Sequence, residues 1–373
     1  MSLTAITLPR WYDLHAHFRQ GEIVPSLIQD HLKMGCAGIL AMPNTKPPVA
    51  KVLRNNPLPY LSVEEYLDML RAAGGNVFED MIVPLYLTQD TTPAMIEAGA
   101  KSGVLRACKY YPPHGTTGSA YGWHFASFME NGVFKAMEEC GVVLCVHGEE
   151  HGMRAEDYFS RTQNAEEVFY RERLPRLVER FPALRVVGEH ITTKVAADFV
   201  SGAGDNVVAS VTPQHLIYTI GHLLQGLKYH LYCMPLVKFD EDRAALRTSV
   251  ATPNNKKFFA GTDSAPHTKK ATECGCAAGC YTGGIAPQLY AEAFEMAGTD
   301  LGMPAGAQAF KSFLCLNGPA FYRLPVPQEM FTLIKQPQTI TKLKTAAGDV
   351  VPLPLGMQSD DPETTATIPW SIQ

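Results

Sequence analysis

The 373-residue chain has no long hydrophobic run. Its purely apolar stretches are short, as at 142–146, and none approaches the roughly 20 residues a membrane-spanning helix needs. An excess of positive charge is also missing. With 32 lysines and arginines against 37 acids, a net charge of −5 and a pI of about 6.2, no nucleic-acid partner is expected. The opening MSLTAITLPRWYDLHAHF lacks a basic n-region and a continuous apolar h-region, so no secretory signal is expected. The nine cysteines are odd in number and lack the spacing of a disulfide framework. Free or metal-linked thiols in a reducing, cytoplasmic compartment are the expectation. No internal repeat is visible, which excludes a solenoid. Apolar residues make up 46%, enough to exclude disorder as the dominant state.

Short β-branched runs alternate with longer amphipathic stretches. The runs at 11–17, 38–44, 81–88, 104–111, 142–149, 185–191, 207–213 and 257–265 read as strands. Those at 63–73, 93–102, 128–140, 165–181, 193–202 and 240–251 read as helices. Near-continuous apolar strands such as VVLCV and VVASV indicate a parallel sheet covered on both faces. Eight such units predict an α/β fold, a (β/α)₈ barrel. A doubly wound open sheet is the rival. No G-x-G-x-x-G follows the first strand, and polar residues gather at strand ends all along the chain rather than at one switch point. The barrel is expected over 1–331, with 332–373, rich in Thr, Pro and Asp, as a C-terminal extension packed on it.

The first strand ends in Asp13, Leu14, His15, Ala16 and His17. Residues i and i+2 of a strand face one side, so His15 and His17 form a candidate metal pair. The pair alone is a weak signal. His147, His190 and Asp263 fall at the ends of three further strands, on the rim that is catalytic in this fold. Together the five residues suffice for two divalent ions. Lys109 lies within a strand, where an unpaired ammonium is costly. Either an acid pairs with it, or the neutral amine has captured carbon dioxide as a carbamate able to bridge two metals. Charge counting favours the carbamate. Two divalent cations set against Asp263, a carbamate and a hydroxide leave about +1 for an anionic substrate, whereas an ammonium leaves about +3.

Several segments then carry a resemblance: DLHAHFR (13–19), MPNTKPPV (42–49), CKYYP (108–112), LCVHGE (144–149), EHITTK (189–194), TPQHL (212–216), LYCMPLVK (231–238), GTDSAPH (261–267), CGCAAGC (274–280) and NGPAFYRLP (317–325). From Asp13 to about Tyr322 the chain resembles the dihydroorotases of the amidohydrolase superfamily, in their short, stand-alone bacterial and fungal form. The resemblance implies a homodimeric, zinc-dependent cyclic amide hydrolase of pyrimidine biosynthesis. It would interconvert N-carbamoyl-L-aspartate and L-dihydroorotate.

Residue by residue, the resemblance gives one zinc His15, His17 and Asp263, and the other His147 and His190. Carboxylated Lys109 and a hydroxide would bridge them, with Asp263 as the acid–base group. Arg19 and Asn44 match contacts to the substrate carboxylate, helped by His267 and by the backbone near Ala277. Met234 stands where the family contacts the pyrimidine ring, in place of the familiar Leu. CGCAAGC carries one residue more than the family's segment before the last Cys, which leaves the register at Ala277 open. Cys274, Cys276 and Cys280 read as part of an active-site loop, because no fourth zinc ligand has fitting spacing. Thr116 and Thr117 match the family's mobile loop, which closes over substrate. Two alternatives compete. One is a hydantoinase-like cyclic amidase, disfavoured because the few residues before His15 leave no room for its β-sandwich. The other is a non-catalytic dihydroorotase-like structural protein, disfavoured because all six ligand positions are filled.

Overall fold

The computed structural model describes residues 4–161, 163–273, 275–358 and 365–373. Cys274 and part of the expected extension, 359–364, lie outside the described residues.

The chain adopts an α/β fold built on parallel strands. Trp11–Ala16 pairs with Cys36–Ala41, and that strand with Asp80–Ile82. A second run places Leu85–Tyr86, Ala107–Tyr110, Val143–Val146, Val186–Gly188, Val207–Val211 and Phe258–Ala260 side by side in chain order. The two runs share the expected strand 81–88, which is interrupted at Val83 and Pro84. Proline has no N–H to give the ladder, so the break falls there. At the other end Ala16 bridges Ser264 in parallel, and Asp263 N donates to His15 O at 2.8 Å. The last strand thus returns to the first.

Each strand is shorter than the sequence suggests, because its polar end leaves the ladder. The expected 257–265 is strand only at Phe258–Ala260, and Asp263 beyond it takes a left-handed φ of 48°. The helices show the same local chemistry. Val63–Ala72 starts in a capping box of Ser62 with Glu65, and Lys194–Gly202 is capped by the Thr193 side chain. The expected helix 128–140 is two, Phe125–Glu130 and Val133–Cys140, separated where Gly132 takes φ 84°. The stretch 165–181 holds a wider π turn at Phe169–Arg173 between two α segments. Among the described residues no helix is long and apolar enough to cross a membrane.

Beyond 322 the chain does more than cover the surface. Met330–Ile334 pairs antiparallel with Ala5–Pro9 and with Ser371–Ile372. Residues 5–9 thus supply one strand of a small sheet made from both chain ends. Trp370 is buried and donates to Glu295 on the helix Ala286–Met296. The eight described cysteines are all free.

Asp13 ties the first strand to the last. It is fully buried. Oδ1 accepts from Thr262 N at 3.0 Å and His15 N at 3.3 Å. Oδ2 accepts from Thr262 Oγ1 at 2.6 Å and His31 Nε2 at 3.2 Å. Removing the carboxylate takes the acceptor from the buried N–H groups of Thr262 and His15, while Thr262 Oγ1 keeps His15 O and His31 Nδ1 keeps Leu27 O. We expect Asp13→Ala to destabilise the protein by about 3 kcal/mol or more, read by urea unfolding, with Asp13→Asn costing less. A loss below about 1 kcal/mol for Asp13→Ala would show that this contact does not hold the ends together.

Candidate metal centre and active site

One apolar cluster collects alternate residues of the strands, among them Ala107, Val143, Cys145, Val187, Val208 and Phe259. Continuing each strand with the same parity carries Lys109, His147, Glu189, Ser210 and Asp263 toward that interior. The first strand needs a further device. Tyr12 and Leu14 belong to the cluster, yet His15, of opposite parity, also turns inward. The ladder is irregular between Asp13 and Ala16, and such an irregularity re-aims a side chain.

The expected ligand residues come together. The described residues contain one group of three metal-type donors, His15, His17 and Asp263, with ligand atoms within 4.8 Å of one another. His15 Nδ1 lies 2.6 Å from Glu189 Oε2, and His17 Nδ1 lies 2.8 Å from Asn44 Oδ1. Both rings therefore present Nε2 to Asp263 Oδ1, at 3.5 and 2.9 Å. The His190 ring stands 4.9 Å from that of His15 and 4.8 Å from that of His147. His147 Nε2 is held by Glu149 Oε2 at 2.7 Å, which leaves Nδ1 free to face the group. Among these rings Lys109 is fully buried, and its Nζ has no hydrogen-bond partner. It lies 5.0 Å from the centre of the Tyr111 ring. His190 Nδ1 and Glu189 Oε1 are likewise buried without partners.

The electrostatics suit cations. Burial holds the Lys109 amine below its usual value, and the Glu189 and Asp263 charges oppose this only in part. Burial lowers His17 to about 4 and takes His190 well below 6.5, so both rings are neutral donors. Burial alone would raise Asp263. The His17 hydrogen bond and the neighbouring His15, His17 and Lys109 together outweigh it and hold the carboxyl at about 2. Arg19, His190 and Asp263 all carry positive φ, of 57°, 41° and 48°. That conformation is strained for non-glycine residues and is found where function over-determines the backbone.

The remaining expected residues divide. Arg19, Asn44, Thr116, Thr117 and Met234 line the same pocket as the histidines. Arg19 approaches His267 Nε2 at 3.3 Å, but that nitrogen also faces Ala278 O at 3.0 Å. If Nε2–H serves the carbonyl, it cannot also accept from Arg19. The guanidinium then stands without an anion, and no ion pair to it occurs among the described residues. His267 stands beside Arg19, outside the pocket lining. Ala277 is not in the lining. Its N–H is tied to Lys270 O at 2.8 Å, and Ala278 and Gly279 face the pocket instead, a shift in the direction of the extra residue in CGCAAGC. Thr117 is latched on both sides: Oγ1 donates to Ala278 O at 3.2 Å, and its carbonyl accepts from Asn44 Nδ2 at 2.9 Å. Behind this segment the cavity is about 20 Å³, room for one water. Glu189, Glu149, Ser210 and Tyr111 were missed as site residues, although strand parity and adjacency to a histidine mark the first three.

No family model matches the chain. Curated relatives do. A dihydroorotase of Shewanella amazonensis is 40% identical over 95% of this chain and 97% of its own length. One of Picosynechococcus is 40% identical over 95% and 96%. Among solved structures, the dihydroorotase of Saccharomyces cerevisiae in complex with 5-fluoroorotic acid superposes with a TM-score of 0.84 and 26% identity, covering 99% of this chain and 98% of that one. An L-hydantoinase of Arthrobacter aurescens superposes at 0.70 with 13% identity over 98% and 82%, a likeness of fold alone. With relatives this similar over nearly the whole length, the chain belongs to the dihydroorotase family.

Proposed function

We propose that the protein is a dihydroorotase that interconverts N-carbamoyl-L-aspartate and L-dihydroorotate in pyrimidine biosynthesis, in the cytoplasm and as a homodimer. Residues 1–331 form a catalytic (β/α)₈ barrel, and 332–373 an extension of it. The observation that carries this reading is one pocket holding both a converging metal-type donor set and an unpaired guanidinium. The first suits hydrolysis of an amide. The second suits a substrate that bears a carboxylate.

The donor set fits two zinc ions. Burial keeps the His17 and His190 imidazoles neutral, the Asp263 carboxylate is ionised, and buried atoms without partners surround Lys109. His15, His17 and Asp263 would hold one ion, His147 and His190 the other, and a carbamate on Lys109 would join them. The carbamate forms when the neutral amine attacks carbon dioxide, making an N–C bond and releasing one proton. Burial favours that neutral amine. Bound there, zinc would lower the pKa of water toward 7 and polarise the amide carbonyl. Asp263 takes a proton from the attacking water and delivers it to the leaving ring nitrogen; ring closure runs the transfer backward. Arg19 and Asn44 orient the substrate carboxylate, with His267 beside Arg19. Met234 and the backbone at Ala278 and Gly279, one place beyond Ala277, border the ring. Thr116 and Thr117 close over the ligand and exclude water.

Four outcomes test this. Chelation abolishes hydrolysis and zinc restores it; Lys109→Ala loses at least one metal and nearly all turnover, and a short carboxylic acid restores part of it. Full activity in metal-free protein would sink the metal centre. Arg19→Met lowers kcat/KM for dihydroorotate roughly 10²-fold or more but spares dihydrouracil, which lacks the carboxylate. Equal losses would make Arg19 structural. Thr116→Ala with Thr117→Ala lowers kcat with both metals retained, and normal turnover in that variant would reduce the segment to a plain connection.

A further inference from the structure

Two clefts flank the segment that carries Thr117, and they differ in charge. One, of about 560 Å³, is lined by Glu149, held by His147, and by Glu150, paired with Arg173 behind it, and by no lysine or arginine. The other, of about 420 Å³, is lined by Arg19, Lys46 and Lys269 and by no acid. Lys46 and Lys269 are exposed, and neither ammonium has an ion-pair partner among the described residues. Arg19, Asn44 and Thr117 belong both to this cleft and to the active-site pocket, so a single wall separates the two. Ala347 closes the cleft on another side. It sits in the turn of the hairpin Leu343–Thr345 with Gly348–Val350, where a Cβ on Gly348 would meet Thr268 at 3.4 Å. The C-terminal segment thereby reaches the mouth of the site.

The pocket behind Thr117 holds about one water and must widen to take a ligand, and Thr117 forms part of the wall it shares with the basic cleft. The latch to be released is two hydrogen bonds, Thr117 Oγ1 to Ala278 O and Asn44 Nδ2 to Thr117 O. We propose that the Lys46–Lys269 cleft is the way in for an anionic substrate, a dicarboxylate that the two lysines gather and that passes Thr117 to reach Arg19. This rests on the dihydroorotase reading, whose ring-opened substrate carries two carboxylates. Like-charged groups in a walled cleft focus the field and raise the local concentration of a counter-charged ligand, while the carboxylate-lined cleft opposite offers it no such attraction.

The test is Lys46→Gln combined with Lys269→Gln in the zinc-loaded full chain. At low ionic strength, kcat/KM for N-carbamoyl-L-aspartate falls roughly tenfold, with kcat and metal content unchanged. The deficit closes near 1 M salt, where the screening length is about 3 Å. Dihydrouracil, without a carboxylate, is turned over as by the unsubstituted enzyme. Lys101→Gln with Lys135→Gln, on the helices Pro93–Lys101 and Val133–Cys140, changes net charge equally and leaves kcat/KM as it was. Undiminished kcat/KM in the first pair at low salt, or an equal loss in the second, overturns the route and leaves the function reading intact. An unsubstituted enzyme inert toward carbamoyl-aspartate overturns both.

Discussion

A lysine amine with no exposed surface and no hydrogen-bond partner sets the terms for this site. An ammonium so placed costs several kcal/mol unless it is compensated. Glu189 and Asp263 pull the Lys109 amine toward the charged form, but burial outweighs them and holds its pKa down. Around it His190 Nδ1 and Glu189 Oε1 also lack partners. Interiors rarely leave several polar atoms unsatisfied in one place, and an unfilled ligand site is one of the standing explanations. The proposed carbamate with two cations resolves the cluster at once. It turns the amine into an acceptor, gives His190 a partner, and offsets the charge of Asp263.

The rest of the fold serves to hold that cluster. Strand parity delivers Lys109, His147, Glu189 and Asp263 to one interior, and Asp13 fastens the first strand to the last directly beneath His15 and Asp263. A second layer then aims the donors: Glu189 on His15, Asn44 on His17 and Glu149 on His147. Asn44 has a double engagement. Its oxygen orients His17 while its nitrogen holds Thr117 O, so the segment that covers the pocket and a metal-type histidine share one amide. Any movement of that segment is felt one residue away from the donor set.

Much of this was legible in the sequence, because its signals are local. The polar ends of 142–149 and 185–191 follow from strand geometry, whereas His15 and His17 share a side only because the ladder is irregular between Asp13 and Ala16. What stayed hidden is of longer range. Asp13 and Thr262 are 249 residues apart and nothing in either segment announces their contact. The pairing of Ala5–Pro9 with Met330–Ile334 is equally remote in sequence. Arg19, His190 and Asp263 adopt positive φ without being glycine, so no composition signal marks where those strands stop. The lining by Ala278 rather than Ala277 depends on how the 275–280 loop is tied to Lys270, which spacing does not fix.

The most direct test of the binuclear centre is a crystal structure of the zinc-loaded enzyme with data collected on both sides of the zinc absorption edge. The expected result is two anomalous peaks, one among His15, His17 and Asp263 and one between His147 and His190, with continuous density for a carbamate on Lys109 Nζ reaching both. A bare lysine side chain in active crystals, or a single peak at full zinc occupancy, is incompatible with it.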